Sequence, residues 1–152
     1  MSRGFSTRFD GFTAELFIPG RPPLLNAERA GHWTKQSAST KAYRQIGQYA
    51  GAQLMRQGWE PVAGSQVTSW PSYPNRRSWP DIAAWFPAVK AVIDGLVDAG
   101  AWEDDTVKNV RKMEFLRPEL VKPSKDPQPL TKVLGPDNRD TGLTVQIRPC
   151  EG

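Results

Sequence analysis

Apolar and polar positions trade places along this chain in segments of recognisable period. Phe12–Pro19 (FTAELFIP) alternates loosely between Gly11 and Gly20, which predicts a first strand. Arg21-Pro22-Pro23 stops it, and the stretch to Lys35, containing Asn26, His32 and Trp33, reads as loop. From Ser37 to Gln57 the period becomes helical, because Tyr43, Ile46, Ala50 and Leu54 fall on one face and Gly58 offers a stop. Val62–Trp70 reads as a second strand closed by the turn-rich Pro71-Ser72-Tyr73-Pro74-Asn75. A second helix follows. Pro87 is tolerated only in a first turn, so the regular part begins near Trp85–Pro87 and runs to Asp98, with Gly100 ending it. Val89, Val92, Ile93, Leu96 and Val97 form its apolar stripe, while Lys90, Asp94 and Asp98 recur every four residues on another face.

Val107–Leu116 reads as a strand with mixed faces, and Thr141–Pro149 alternates well enough for a last one. Between them Arg117–Asp140 holds five prolines, the composition of a long mobile loop or arm. No internal repeat is present. The order strand, helix, strand, helix, strand, strand predicts one α+β domain over residues 1–152, with a mixed sheet of about four strands and two main helices packed on it.

Composition narrows the function classes. At 152 residues the chain has the size of one domain, and 38% hydrophobic residues can fill a core. No apolar run approaches the length of a membrane span and no secretory signal opens the sequence, so the expected compartment is the cytoplasm. One cysteine (Cys150) and one histidine (His32) cannot build a disulfide framework or a closed zinc site. The net charge of +4 tilts the expected partner toward nucleic acid. Its distribution adds more. Residues 1–80 carry ten Lys/Arg against four Asp/Glu, whereas residues 81–105 carry Lys90 alone against Asp81, Asp94, Asp98, Glu103, Asp104 and Asp105. An acidic island inside a basic chain suits an enzyme acting on a polyanion, since clustered carboxylates repel DNA unless a divalent cation lies between them. A solvated acidic helix and turn give the same pattern.

The ordered set Arg76-Arg77, Asp81, Lys90, Asp94-Gly95-Leu96 and Asp104-Asp105 resembles the RusA-like Holliday-junction resolvases, and phage-borne members in particular. That family carries an arginine-rich run, an Asp-x-Asp-Asn motif, a helix with a lysine and an Asp-x-Leu, and then an Asp-Asp pair. The N-terminal Pro23-Leu24-Leu25-Asn26 through His32-Trp33 is similar as well. The resemblance implies a RusA-like fold and a homodimer that cuts branched DNA at four-way junctions by paired nicks. It implies Mg²⁺, with Mn²⁺ as its alternative, and no small-molecule cofactor or membrane. On that basis Asp81, Lys90 and Asp105 are the expected catalytic residues. Asp81 and Asp105 are the principal metal ligands, Asp104 and Asp94 the secondary ones. Arg76, Arg77, Lys35, Lys41 and Arg44 are expected to hold DNA.

One departure stands out. The family's Asp-x-Asp-Asn is here Asp81-Ile82-Ala83-Ala84, so the second acid is missing and Asp94, one turn from Lys90, is its natural substitute. The loss leaves a second reading open, a junction-binding protein of the same fold that does not cut. A third is a basic domain whose acidic helix docks a protein. The residues have plainer uses too: Lys90 and Asp94 as an i, i+4 surface pair, Asp104-Asp105 as a solvated turn, and Arg76-Arg77 as a soluble loop. Trp33, Trp79, Trp85 and Trp102 are better placed for core or dimer contacts than for stacking on bases.

Overall fold

A computed structural model describes residues 4–25, 33–121 and 141–150, with the backbone alone for 33–38, and those residues form nine segments of regular structure. The strands are β1 (Ser6–Phe9), β2 (Ala14–Pro19), β3 (Ser65–Tyr73), β4 (Val110–Phe115), β5 (Glu119–Leu120) and β6 (Gly142–Pro149). The helices are α1 (Trp33–Arg56) and α2 (Phe86–Asp98), with a 3₁₀ turn at Arg76–Ser78. The expected α+β class with a mixed sheet and two helices is what the chain adopts. Among the described residues the strands number six, because β1 and the two-residue β5 join those expected. Residues 122–140, most of the expected proline-rich arm, lie outside the described residues, as do Asn26 and His32.

The sheet order is β1-β2-β6-β3-β4, with β5 also on β3. β1, β2, β6 and β3 run antiparallel to their neighbours, while β4 and β5 lie parallel to β3. Parallel neighbours require a crossover, and α2 supplies it between β3 and β4. Alternate residues of the strands, Ala14, Leu16, Ile18, Val67, Val145 and Ile147, are buried under the two helices. The stripes read from the sequence meet them: Tyr43, Ala50 and Leu54 on α1, and Val89, Val92, Ile93 and Leu96 on α2.

The helices touch through glycine. A methyl group at Gly95 would collide with the Arg44 carbonyl oxygen and lie 2.7 Å from the Gln48 amide nitrogen. One at Gly47 would collide with the Val92 carbonyl. Backbone thus lies against backbone where α1 crosses α2. At the start of α2, Trp85 is fully buried, and its indole N–H donates to the Ser69 hydroxyl of β3 at 2.9 Å. Pro87 occupies the first turn, where its missing N–H has no carbonyl to bond. Trp102 is core as well, donating to the Val62 carbonyl and meeting Trp59 edge to face.

One boundary differs instructively. The strand expected at Val62–Trp70 is β3, Ser65–Tyr73, so the expected turn residues Pro71, Ser72 and Tyr73 continue it. Ser69 and Tyr73 accept from the amides of Leu116 and Val121, so residues of this parity point toward β4 and β5. Pro71 shares that parity and falls where the neighbour changes from β4 to β5. A missing N–H costs little at that break.

Candidate functional site

The crossover geometry decides which of the acidic residues meet. Lys90 lies on α2 one turn before Asp94, and its ammonium donates to the Asp94 carboxylate at 2.6 Å. The same ammonium donates to the Asp105 carboxylate, which arrives from the loop after the helix. Two carboxylates therefore converge on one cation, leaving the cluster with net negative charge. Their side chains are about one-third exposed, so the cluster is open to solvent. The Lys90 hydrogen bond holds Asp105 below the ordinary carboxylate pKa. Partial burial of Lys90 pulls its own pKa down, but the bonds to Asp105 and Asp94 outweigh that and leave it raised.

The loop that delivers Asp105 is built by its neighbour. Asp104 Oδ1 accepts from the Thr106 amide at 3.1 Å, the Thr106 hydroxyl at 2.7 Å and the Asn109 side-chain amide at 2.9 Å. The Thr106 bonds keep the Asp104 pKa low. Asn109 is buried and also donates to the Asp104 carbonyl, locking the loop to the start of β4. Asp104 thus organises the turn and Asp105 faces Lys90. Thr106 and Asn109 were not singled out from the sequence. Their signal was local: an aspartate followed two and five residues later by groups that can bond it.

Asp81 sits exposed on the turn before α2, its carbonyl accepting from the Ala84 amide. Among the described residues, its carboxylate takes no hydrogen bond or ion pair with Lys90, Asp94 or Asp105. Ala83, where the family's second acid would stand, has φ +65°, a left-handed conformation that favours Gly, Asn or Asp. Asp98 leaves the acidic stripe and forms a two-pronged pair with Arg44 of α1, at 2.7 and 3.0 Å. Arg44, expected to hold DNA, thus has Asp98 as its partner in this structure, with its side chain still half-exposed. That pair lowers the Asp98 pKa and raises that of Arg44.

Of the other expected DNA contacts, Arg76 and Arg77 are exposed on the 3₁₀ turn, and the Arg76 guanidinium lies 5.9 Å from the Trp79 ring centroid. Asn75 caps this turn by accepting from the Ser78 amide. Arg21 reaches the same region, over the Tyr73 ring at 5.7 Å. Lys41 is exposed on α1. The Lys35 and Trp33 side chains lie outside the described residues.

A hard divalent cation wants oxygen ligands, often one or two carboxylates with the remainder water. Among the described residues no three His, Cys, Asp or Glu side chains gather at one point. Asp94 and Asp105 offer two carboxylates of the kind such a cation takes, and in this structure both face the Lys90 ammonium. Among the described residues no helix is long and apolar enough to cross a membrane. The chain matches no protein-family model, and no curated protein matches it.

Proposed function

We propose that the chain is a divalent-cation-dependent, structure-specific endodeoxyribonuclease that nicks four-way or branched DNA junctions. The observation that carries the reading is the meeting of Asp94 and Asp105 on Lys90, residues drawn from the helix and from the Asp-Asp pair of the motif the resemblance rests on. Asp94 and Asp105 would hold Mg²⁺ or Mn²⁺. When bound, such an ion lowers the pKa of a water and offsets charge on the phosphate. Lys90 supplies positive charge to the non-bridging oxygens, and Arg76 and Arg77 hold the backbone beside the cut. Two symmetric nicks call for a homodimer with two-fold symmetry. Junction shape would be read through backbone contacts spread over both protomers. The place of action is the cytoplasm of a bacterial or phage-infected cell.

A labelled four-way junction and a matched linear duplex, each incubated with Mg²⁺ or EDTA, test the reading. Paired nicks on the junction alone, abolished by EDTA, are expected. A junction that is bound but never cut sinks the enzyme.

That outcome would favour a junction-binding protein without nuclease activity. Two observations speak for it: Ala83 stands where the family has its second acid, and Asp81 makes no bond to the cluster. Ala83→Asp distinguishes the two, because cleavage gained only in that variant means the native chain had lost it.

A further inference from the structure

The break between β4 and β5 opens a groove of about 510 Å³, lined by Trp70, Arg76, Trp79, Leu116, Arg117 and Glu119. That volume lies within the roughly 300–1,000 Å³ of ligand clefts. Sequence and topology build it together. Pro71 ends the pairing demand of β3 at this point, so the chain leaves the sheet at Leu116 and rejoins it at Glu119. Leu116 is left 45% exposed at the rim. Trp70 falls on the strand parity opposite to Ser69, whose hydroxyl meets Trp85 in the core, and so faces away from the helices. Trp79 comes from the end of the 3₁₀ turn that carries Arg76. Its indole N–H is buried without an acceptor among the described residues.

Charge and chemistry select the occupant. Arg76 and Arg117 are exposed, whereas Glu119, the acid of the lining, is tied to the Ser72 hydroxyl at 3.2 Å. Arg21 and Arg77 extend the positive charge beyond the rim. Aromatic rings flanked by arginines match single-stranded nucleic acid, whose bases stack on the rings while its phosphates pair with the guanidinium groups. The groove is joined to α2 by short paths. Phe115, next to Leu116, meets Trp85 and Phe86 at the start of that helix, and Asp81 lies two residues after Trp79.

We infer that this groove binds unpaired, single-stranded DNA, holding nucleotides splayed from a duplex. The groove shares Arg76 with the proposed nuclease site but contains neither Asp94, Asp105 nor Lys90, so its binding is measured apart from cleavage.

The test measures binding of fluorescein-labelled dT12, and of the same length of duplex, to the full chain in EDTA. Wild-type protein is expected to prefer dT12, with affinity falling steeply as salt rises. Arg76→Ala and Arg117→Ala should each weaken dT12 binding roughly tenfold. Arg111→Ala, which removes an equal charge from β4 outside the groove, should change it less than about twofold. Tryptophan emission should be quenched on binding, and part of that quench should vanish in Trp79→Phe and Trp70→Phe, which keep an aromatic ring in place. Arg117→Ala behaving like Arg111→Ala overturns the inference. So does undiminished quenching in both Phe variants, or an oligoglutamate competing as well as unlabelled dT12. Junction nicking without dT12 binding would defeat this inference and leave the nuclease reading intact. The converse would do the opposite.

Discussion

Gly95→Ala puts the helix crossing to a quantitative test. Glycine inside a helix normally destabilises it, so on propensity alone the substitution should gain about 0.5–1 kcal/mol. The packing argues the other way. The new methyl would collide with the Arg44 carbonyl oxygen, lie 2.7 Å from the Gln48 nitrogen and 2.9 Å from the Gly47 Cα. These are backbone atoms of α1, which cannot rotate aside as a side chain can. Overpacking of a core contact costs about 1–3 kcal/mol, and a clash with backbone belongs at the upper end. The net expectation is a loss of about 2 kcal/mol, or a fall in Tm of about 4–8 °C for a chain of this size. Urea and thermal unfolding followed by circular dichroism read it directly. Gly51→Ala is the control: its methyl would meet the Leu96 Cδ2 at 3.0 Å, a side-chain tip that can turn aside, and the Ala99 Cβ at 3.1 Å, a contact relieved by a shift of a few tenths of an ångström. That variant should stay close to wild type. If Gly95→Ala proves as stable as wild type or more so, the two helices do not cross backbone to backbone. The placement of Asp94, the neighbouring residue, then fails with it.

Two further outcomes follow from the site and its approach. Ala83→Asn should raise stability by about 0.5–1 kcal/mol in urea unfolding, because the left-handed turn strains alanine and suits asparagine; a loss would mean the turn is not left-handed. The pH dependence of stability should slope in opposite directions at its two ends, rising with pH on the acid side and falling on the alkaline side. Asp105, held below its ordinary 3.8 by Lys90, adds stability above that value and loses it as pH falls through its lower folded pKa. Lys90, held above its ordinary 10.5, adds stability below that value and loses it as pH rises through its higher folded pKa. Solvent exposure keeps both contributions small. Asp105→Asn should flatten the acid side of the profile; an unchanged slope there contradicts the pairing.

The helices were legible because their signals are local: a stripe every three or four residues, a proline that only a first turn accepts, and a glycine stop. β3 was misplaced for an equally physical reason. Pro71 reads as a strand breaker unless one knows that its edge faces a gap between two neighbouring strands, which is a fact of topology. β1 was missed because Ser6–Phe9 is only half-buried and lacks a strong apolar alternation. Its hairpin signal, Asp10-Gly11, was nevertheless present: Asp10 accepts from the Phe12 and Thr13 amides, and Gly11 takes φ +99°. In the site, the four-residue spacing already paired Lys90 with Asp94, whereas the arrival of Asp105 at the same ammonium depends on how the loop after α2 turns back. The different fates of Asp104 and Asp105 could not be read, since adjacent aspartates look alike until Thr106 and Asn109 claim one of them. The pairing of Arg44 with Asp98 was equally illegible, since Asp98 lies on the other helix, brought close by the glycines between them.

That division between adjacent aspartates supplies the most direct measurement of the central claim. Junction nicking in Mg²⁺ should be compared for wild type, Asp105→Asn and Asp104→Asn. Asparagine at 104 keeps an Oδ1 acceptor for Thr106 and Asn109, so the loop should hold and paired nicks should persist. Asparagine at 105 removes the charge that faces Lys90, so nicking should fall by at least about a hundredfold. Full activity in Asp105→Asn, or loss confined to Asp104→Asn, would contradict the site described for Asp94, Lys90 and Asp105.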